Sequence, residues 1–252
     1  MIFKRLSRRS RQDADRLQAL EQQNDALFSE LAQVQQRFGG LARSVWRVQE
    51  EERRHIAREL HDSVGQTLTA LCHRVESLDG DSAARDAAAS LCRQALEEVR
   101  ELSRLLRPPV LDDLGLVPAL KWLARRVRES HGIPVNVRAG DESVGVDSDA
   151  ETLIFRVAQE SLSNAVRHGR PTRIDIRLTR IGNRLELQVR DNGEGFDPEA
   201  VETREERGIG LAGMRDRVSL FGGELLISSS PGRGTMVSAS LVLDRGEGDG
   251  DH

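Results

Sequence analysis

Two adjacent polar residues, His61 and Asp62, interrupt a segment of helical pattern, ARELHDSVGQTL, at residues 57–68. A neutral imidazole is a competent nucleophile near pH 7, because its ordinary pKa is about 6.5. Its Nε2 can attack a phosphate when an acceptor holds the Nδ1 hydrogen, and Asp62 is the adjacent candidate for that acceptor. Since Leu60 and Val64 belong to the apolar stripe, a helix turns His61 about 100° away from it, toward solvent. The alternative interpretation is an ordinary solvated histidine.

Asp62 and Gln66 are four residues apart and therefore share one face of the predicted helix. An amide one turn beyond the histidine can position a water for attack on an aspartyl phosphate of a docked partner. This spacing indicates a dephosphorylating activity beside the phosphate-accepting one.

A second group of residues has the composition of a nucleotide site. Within a helix predicted from Ala150 to His168, four polar side chains share or adjoin one face, namely Glu160, Asn164, Arg167 and His168. An acid, an amide and two basic groups suit a hydrated Mg²⁺ with a polyphosphate. The same helix is predicted to open with a capping box of Ser148 and Glu151 and to end at Gly169.

Three glycine-containing segments follow in the sequence, DNGEGF at 191–196, RGIGLAGMRDRV at 207–218 and SSPGRGTMV at 229–237. The first places the Asp191 carboxylate at the end of a predicted strand, and its glycines permit a tight turn. The second precedes a helix whose N-terminal amides favour a phosphate. Each segment alone is more often an ordinary turn, but that explanation suits the whole series much less well.

The segments ESLSNAVRHG, DNGEG, GIGL and GRGT resemble the N, G1, G2 and G3 boxes of the gyrase, chaperone, histidine-kinase and mismatch-repair ATPase superfamily. Its α/β sandwich is called the Bergerat fold. The resemblance implies that Asn164 ligates Mg²⁺, that Glu160 supports the metal, and that Asp191 accepts a hydrogen bond from the adenine amino group, with Thr235 nearby. It implies a mobile lid over the phosphates. The other positions that it assigns to ATP are Arg167, where many members have Lys, and His168, Gly193, Gly195, Gly208, Gly210, Leu211 and Gly234.

The window ERRHIARELHDSVGQTL, residues 52–68, resembles the phosphoacceptor helix of the nitrate-sensor-like and DesK-like branch of bacterial sensor histidine kinases. In that branch H-D-x-x-x-Q marks both the phosphorylated histidine and a phosphatase motif. LRPPVLDDLGLVPALKWLA, residues 106–124, resembles the join between its helical bundle and its ATPase. The resemblance implies that His61 takes the γ-phosphoryl group of ATP and passes it to an aspartate of a response regulator with a helix-turn-helix, DNA-binding output.

The elements that must position these residues are predicted from hydrophobic periodicity. A heptad-like stripe with Asn24 at a core position indicates a dimeric coiled coil over residues 1–48, with a hinge at Gly39 and Gly40. A monomeric helix packed on its own domain is the alternative. Beyond residue 48 the stripe widens, which predicts a helical hairpin over 49–130 that forms a four-helix bundle with a second copy.

From about Ile133 short strands alternate with helices, which indicates a layered α/β domain over 131–245. Residues 246–252 are polar and predicted to be disordered. The expected fold class is thus multidomain, α and α/β, with an N-terminal coiled-coil helix, a dimerisation hairpin and a C-terminal α/β sandwich.

Composition limits the partners. The net charge is −4 and no apolar run approaches the roughly 20 residues that span a bilayer. We therefore expect a cytoplasmic homodimer with no direct nucleic-acid contact and no transmembrane segment, which leaves room for a peripheral or upstream sensor partner. We also expect reduced thiols at Cys72 and Cys92. Two other functions stay open at this point. One is a dimeric signalling scaffold that binds ATP without kinase turnover, and the other is a clamp-like ATPase of the gyrase or chaperone kind.

Overall fold

The computed structural model of the chain describes residues 2–77, 82–140, 146–198 and 208–243. The chain divides into two compact units, Met1–Trp46 and Arg47–His252. Helix α1, Ile2–Glu59, begins in the first unit and ends in the second. It remains helical at Gly39 and Gly40. No helix in the described ranges combines the length and apolar character that a membrane crossing requires.

The apolar stripe of the first unit is uncovered in the single chain. Its exposed members include Leu27, Leu31, Val34, Phe38, Leu41 and Val45. A helix stripe of this kind is stabilised by burial against another helix. The coiled-coil pairing needs a second chain and stays a prediction.

The second unit begins with a helical hairpin. After α1 comes a π-helical turn, Leu60–Val64, then α2, Gly65–Glu76, and the returning helix α3, Ser82–Leu106. Cys72, Ala89 and Leu96 are buried between the helices. Several larger apolar side chains stay exposed on the hairpin, namely Ile56, Val64, Leu71, Leu91 and Leu102. Apolar side chains therefore remain on the outside of the hairpin, as expected for half of a helical bundle.

Two prolines end α3 as expected. Pro108 is extended, with φ −72° and ψ 128°, and Pro109 opens a short helix α4, Pro109–Leu114. Gly115 adopts φ 82°, which L side chains rarely adopt, and turns the chain into α5, Leu116–His131. The apolar face of α5 is buried against the sheet domain that follows.

The sheet domain contains five strands. They are β1 (Val135–Arg138), β2 (Ile174–Ile181), β3 (Arg184–Asp191), β4 (Glu224–Ser229) and β5 (Thr235–Val242). Their order is β1-β2-β3-β5-β4, with β1 parallel to β2 and all other pairs antiparallel. Alternate residues of β2 and β3 are buried, as the period of a strand requires when one face carries helices.

The core lies between this sheet and three helices. They are α5, α6 (Ser148–Asn164) and α7 (Gly208–Leu220). A π-helical turn, Ala165–Gly169, follows α6 directly. The largest fully buried side chains of the domain include Phe155, Ile154, Leu120, Ile176, Leu187 and Met214. A helical layer on a mixed sheet is the α/β sandwich that the sequence predicts, so the expected fold class is confirmed.

The capping box predicted at the start of α6 is wrong. Asp147, one residue earlier, is the N-cap, and its side chain accepts a hydrogen bond from Asp149 N at 3.2 Å. Glu151 turns instead toward α5, where its Oε1 accepts from Leu116 N at 3.4 Å. The carboxylate of Glu151 bonds to a backbone donor on α5 instead of capping its own helix. The sequence pattern at the start of α6 does not contain that donor.

The two cysteines lie on the facing helices α2 and α3. Cys72 is buried, and Cys92 is half-buried. Burial raises the pKa of the Cys72 thiol, and the neighbouring Cys92 adds to this effect. A raised pKa keeps a thiol protonated and unreactive.

Candidate functional site

His61 lies in the π-helical turn that interrupts the long helix. Its side chain is 61% exposed, and its Nδ1 is 3.5 Å from Asp62 Oδ1. That distance is longer than an ordinary hydrogen bond, and Nδ1 is the ring nitrogen that lies beside the carboxylate. Nε2, on the other side of the ring, is the nitrogen that remains for a reacting group. A π-helical turn inside an α-helix is frequent at functional sites.

A cleft of about 630 Å³ adjoins the histidine, between α1, the end of α3 and α4. Its lining contains His61 and Asp62 together with three arginines and further acids, namely Arg54, Arg58, Arg107, Glu51, Asp112 and Asp113. Gln66 is exposed, one helical turn beyond Asp62. The three residues of the H-D-x-x-x-Q pattern therefore all lie at the surface of the hairpin.

A second cavity, of about 590 Å³, lies on the sheet domain between α6, the start of α7 and the ends of β3 and β5. Its lining includes the sequence-predicted Glu160, Asn164, Arg167, His168, Asp191, Gly195, Gly210, Leu211 and Thr235. Gly193 and Gly234 lie directly behind it, against Asp191. Residues that are far apart in the sequence thus meet in one concave site, as the four boxes predict.

Asp191 is 7% exposed and lies at the end of β3. Its Oδ1 accepts a hydrogen bond from Gly193 N at 2.8 Å. Thr235 begins β5, and its Oγ1 is 3.1 Å from Ser229 Oγ. Ser229 also accepts from Phe196 N at 2.9 Å, so it ties the G1 segment to the strand pair. Sequence reasoning missed Ser229, because nothing local distinguishes it within SSS.

The glycines of the boxes are required by close backbone contacts. A Cβ on Gly193 would collide with the carbonyl group of Gly169, and a Cβ on Gly234 would collide with the carbonyl oxygen of Asp191. Gly195 and Gly234 also have positive φ, 62° and 72°. These glycines bring backbone segments together and so fix the position of Asp191.

Glu160 and Asn164 face each other one turn apart on α6. Asn164 Nδ2 donates to Glu160 Oε1 at 3.2 Å, which leaves Asn164 Oδ1 for a cation. Gly210, in the first turn of α7, lies against the same carboxylate, since a Cβ there would be 3.0 Å from Glu160 Oε1. Among the described residues no three His, Cys, Asp or Glu side chains form a metal cluster. This donor set suits a hydrated Mg²⁺ that completes its shell with water and phosphate oxygens.

Basic side chains also line the cavity. Arg167 and His168 belong to the π-helical turn after α6. Arg170, which sequence reasoning missed, adopts φ 46° and donates to Glu194 Oε1 at 3.2 Å. Gly208 begins α7, and the predicted lid between Phe196 and Gly208 lies mostly outside the described residues.

Both halves of this arrangement match known families. Residues 149–245 match the family described as histidine kinase-, DNA gyrase B-, and HSP90-like ATPase. Residues 52–111 match a family described as histidine kinase. The chain therefore belongs to the sensor histidine kinases. Within them it falls in the nitrate-sensor-like and DesK-like branch, as the resemblance of its motifs implied.

Named relatives agree with this assignment. The sensor histidine kinase MctS of Rhizobium johnstonii is 34% identical over 222 residues, which cover 85% of this chain and 48% of MctS. The signal transduction histidine-protein kinase/phosphatase UhpB of Salmonella typhimurium is 36% identical, over 89% of this chain and 45% of UhpB. The sensor histidine kinase ComP of Bacillus subtilis is 34% identical, over 81% and 28%. The chain spans about half the length of these relatives or less.

A solved structure is also similar. It is the histidine kinase domain of the blue-light activated histidine kinase of Erythrobacter litoralis. The match covers 74% of this chain and 94% of that domain. The TM-score is 0.48 and the sequence identity 23%.

Proposed function

We propose that this chain is an ATP-dependent protein histidine kinase that phosphorylates its own His61 and then transfers the phosphoryl group to an aspartate of a response regulator. The observation that carries the proposal is the exposed His61, with Nδ1 beside Asp62, in a chain that also has a nucleotide-sized cavity lined by the ATPase boxes. Homology to named sensor histidine kinases supports it.

The binding roles follow from the chemistry of the cavity. Asp191 is proposed to accept the adenine amino hydrogen with Thr235 at the same edge. Asn164 would hold Mg²⁺ with support from Glu160, and the metal would neutralise phosphate charge there. The remaining proposed contacts to the nucleotide come from Arg167, His168, Gly193, Gly195, Gly208, Gly210, Leu211 and Gly234.

The transfer step requires that Nε2 of His61 be unprotonated and accessible. The lone pair of Nε2 forms a bond to the γ-phosphorus of ATP while the bond from that phosphorus to the bridging oxygen breaks and ADP leaves. Asp62 receives the Nδ1 hydrogen as the ring gains positive charge. Phosphoryl transfer needs little covalent chemistry from a protein, so correct positioning and charge stabilisation supply most of the rate. The three arginines of the adjoining cleft are paired with its acids, Arg54 and Arg107 with Asp112 and Arg58 with Glu51.

Gln66 supports the reverse activity. One turn beyond Asp62, its amide can position a water for attack on the phosphorylated aspartate of a docked regulator. One relative, UhpB, is named a kinase/phosphatase. We propose the same pair of activities here, toward a regulator whose output domain is a helix-turn-helix DNA-binding domain.

The apolar residues exposed on α1, α2 and α3 support a homodimer in which two hairpins form a four-helix bundle. The proposed domains are a coiled coil at 1–48, the phosphotransfer hairpin at 49–130, the ATP-binding domain at 131–245 and a polar tail at 246–252. A cytoplasmic location agrees with substrates found there, ATP and a response regulator.

Incubation with labelled ATP and Mg²⁺ tests the proposal. The wild-type chain should acquire acid-labile label, and His61→Gln should acquire none. His73→Gln is the matched control, because His73 is also an exposed helix histidine with an acidic neighbour. ATP binding without label in the wild type would favour the scaffold. Phosphate release that does not change in His61→Gln would favour the clamp-like ATPase.

A further inference from the structure

One residue of the nucleotide cavity has an unusual backbone conformation. Arg170 adopts φ 46° and ψ 49°, the left-handed helical region, and among the residues that the structure describes it is the only one besides glycine with positive φ. L side chains other than Asn and Asp rarely adopt this conformation, because Cβ comes too close to the following carbonyl oxygen. Strained residues of this kind concentrate at binding sites. Arg170 is therefore a candidate for a role that the ATPase boxes do not assign.

The turn that contains Arg170 is fixed by the side chain of Asn192, which follows β3. Asn192 Oδ1 accepts hydrogen bonds from the backbone amides of Thr172 and Arg173, at 3.0 and 2.9 Å. Its Nδ2 donates to Thr172 Oγ1 at 2.8 Å. The turn cannot relax into an ordinary conformation without losing these bonds, so the surroundings hold Arg170 in its strained state.

The same turn lies beside the carboxylate of Asp191. A Cβ on Gly169 would be 3.5 Å from Asp191 Oδ1, and Gly169 O accepts from Glu194 N at 2.7 Å. Arg170 follows directly on Gly169 and, like Glu194, lines the nucleotide cavity. The backbone of Arg170 is therefore next to the carboxylate that is proposed to hold the adenine amino group.

The side chain of Arg170 contributes little to the stability of the fold. Its Nη1 donates to Glu194 Oε1 at 3.2 Å, but the two side chains are 82% and 61% exposed. Water and salt screen an ion pair with this exposure, and its usual contribution is smaller than the cost of a left-handed conformation. An arginine at this position is therefore better explained by a ligand than by folding.

Buried valines line the same cavity from the sheet. Val189 on β3 and Val237 on β5 are paired across the two strands and are 3% and 5% exposed. This apolar floor suits one face of a purine ring. A base that lies on the floor, with its amino edge at Asp191, turns its other face toward solvent, where the exposed guanidinium of Arg170 lies. A planar guanidinium stacks favourably on an aromatic ring.

We propose that Arg170 is a further nucleotide contact, whose guanidinium covers the solvent-facing side of the adenine ring, and that Asn192 and Glu194 position it for this contact. The inference deepens the proposed kinase function and rests on ATP binding in this cavity. The contact acts on the base and not on the phosphates, so ATP, ADP and adenosine all gain affinity from it. It is separate from the role of Asp191, which is proposed to bind the amino edge of the base.

Arg170→Gly and Arg170→Asn test the contact, because both new residues accept the left-handed conformation and neither carries a guanidinium. The full chain is titrated with ATP, ADP and adenosine, and its thermal unfolding midpoint is measured without nucleotide. Each variant should weaken the binding of all three ligands about 5- to 30-fold. The unfolding midpoint should stay at the wild-type value or rise by a few degrees, since the backbone strain is relieved.

Arg173→Ala is the matched control. Arg173 belongs to the same turn, is 60% exposed and pairs with Asp175 at 3.1 Å, but it is not among the residues that line the cavity. This variant should bind all three ligands like the wild type. The role of Asn192 is tested in the same titrations. Asn192→Asp keeps the oxygen that accepts from the turn and should retain affinity, whereas Asn192→Ala removes that oxygen and should lose it.

Unchanged affinity for adenosine in both Arg170 variants would overturn the inference, because a loss confined to ATP and ADP would show that Arg170 contacts phosphate. Weaker binding together with a lowered unfolding midpoint in both variants would overturn it as well, since Arg170 would then support the fold. If the wild type binds ATP and the variants bind it equally, only this contact is refuted and the proposed kinase function stands. If the wild type binds none of the three ligands, both proposals fail.

Discussion

At the scale of single residues, the distinction between the two nitrogens of His61 decides what the site can do. Nδ1 lies beside Asp62, 3.5 Å away, and the imidazole is largely exposed. The carboxylate can fix the tautomer and stabilise positive charge on the ring as the new bond forms. The same reasoning applies in the nucleotide cavity, where Gly193 N fixes the orientation of the Asp191 carboxylate.

Asp62→Asn should lower the rate of His61 phosphorylation by about 10²- to 10⁴-fold, the usual contribution of a positioned base. The KM for ATP should not change, since Asp62 is not among the residues that line the nucleotide cavity. Initial labelling rates at several ATP concentrations measure both quantities. A changed KM with an unchanged maximal rate would show that Asp62 does not act on the histidine. Asp86→Asn, another exposed helix aspartate of the hairpin, is the control.

Asp191→Asn should weaken ATP binding by about 10- to 200-fold, because the amide that replaces the carboxylate loses a charged acceptor for the adenine amino group. Equilibrium titration of ATP and of GTP measures the effect. The loss should be confined to ATP, since guanine carries no amino group at that position. Equal loss for both nucleotides would indicate that Asp191 supports the loop rather than reads the base.

At the scale of elements, the sequence predicted the strands, the helices and the glycine segments well, because each depends on local periodicity or turn chemistry. The helix predicted from Ala150 to His168 corresponds to α6, Ser148–Asn164, and the π-helical turn Ala165–Gly169 that follows it. The cap of α6 was misassigned because Glu151 bonds to α5. The π-helical turns at His61 and after Asn164 have no local signature. Arg156 Nη2 donates to Glu50 Oε2 although the two residues are 106 positions apart, and no pattern in a single sequence indicates such a contact.

Gly234 and Gly232 provide a matched pair for the G3 segment. Both have positive φ, 72° and 76°, but a Cβ on Gly232 meets nothing within 4 Å, whereas one on Gly234 collides with Asp191 O. Gly232→Ala should cost about 1–2 kcal/mol of stability from backbone strain alone. Gly234→Ala should cost more and should also weaken ATP binding, because Asp191 is displaced. Thermal unfolding and ATP titration of both variants check this; equal behaviour would contradict the assignment of Gly234.

At the scale of the whole molecule, the account requires two chains. The hairpin leaves large apolar side chains exposed, among them Leu71, Leu91 and Leu102, so this apolar face needs a second copy to form a bundle. The sheet domain carries the nucleotide cavity on its own helices and strands. Assembly and nucleotide binding thus depend on different surfaces.

Leu91→Lys should shift the dimer toward monomers, because it places a charge on the exposed apolar face of α3. Leu226→Lys is the control, since Leu226 is exposed to a similar extent, 60% against 67%, but lies on β4 of the sheet domain. Sedimentation equilibrium of the two variants decides the point. Dissociation in neither, or in both to the same extent, would show that the hairpin face is not the dimer contact.

The central claim is that the terminal phosphoryl group of ATP reaches Nε2 of His61. Nuclear magnetic resonance of the ¹⁵N-histidine-labelled chain after reaction with Mg²⁺-ATP measures this directly, because the two phosphohistidine isomers have different nitrogen shifts. The account predicts a single phosphohistidine, substituted at Nε2 and absent in His61→Gln. A phosphoryl group on Nδ1, on another histidine, or on no histidine at all would contradict it.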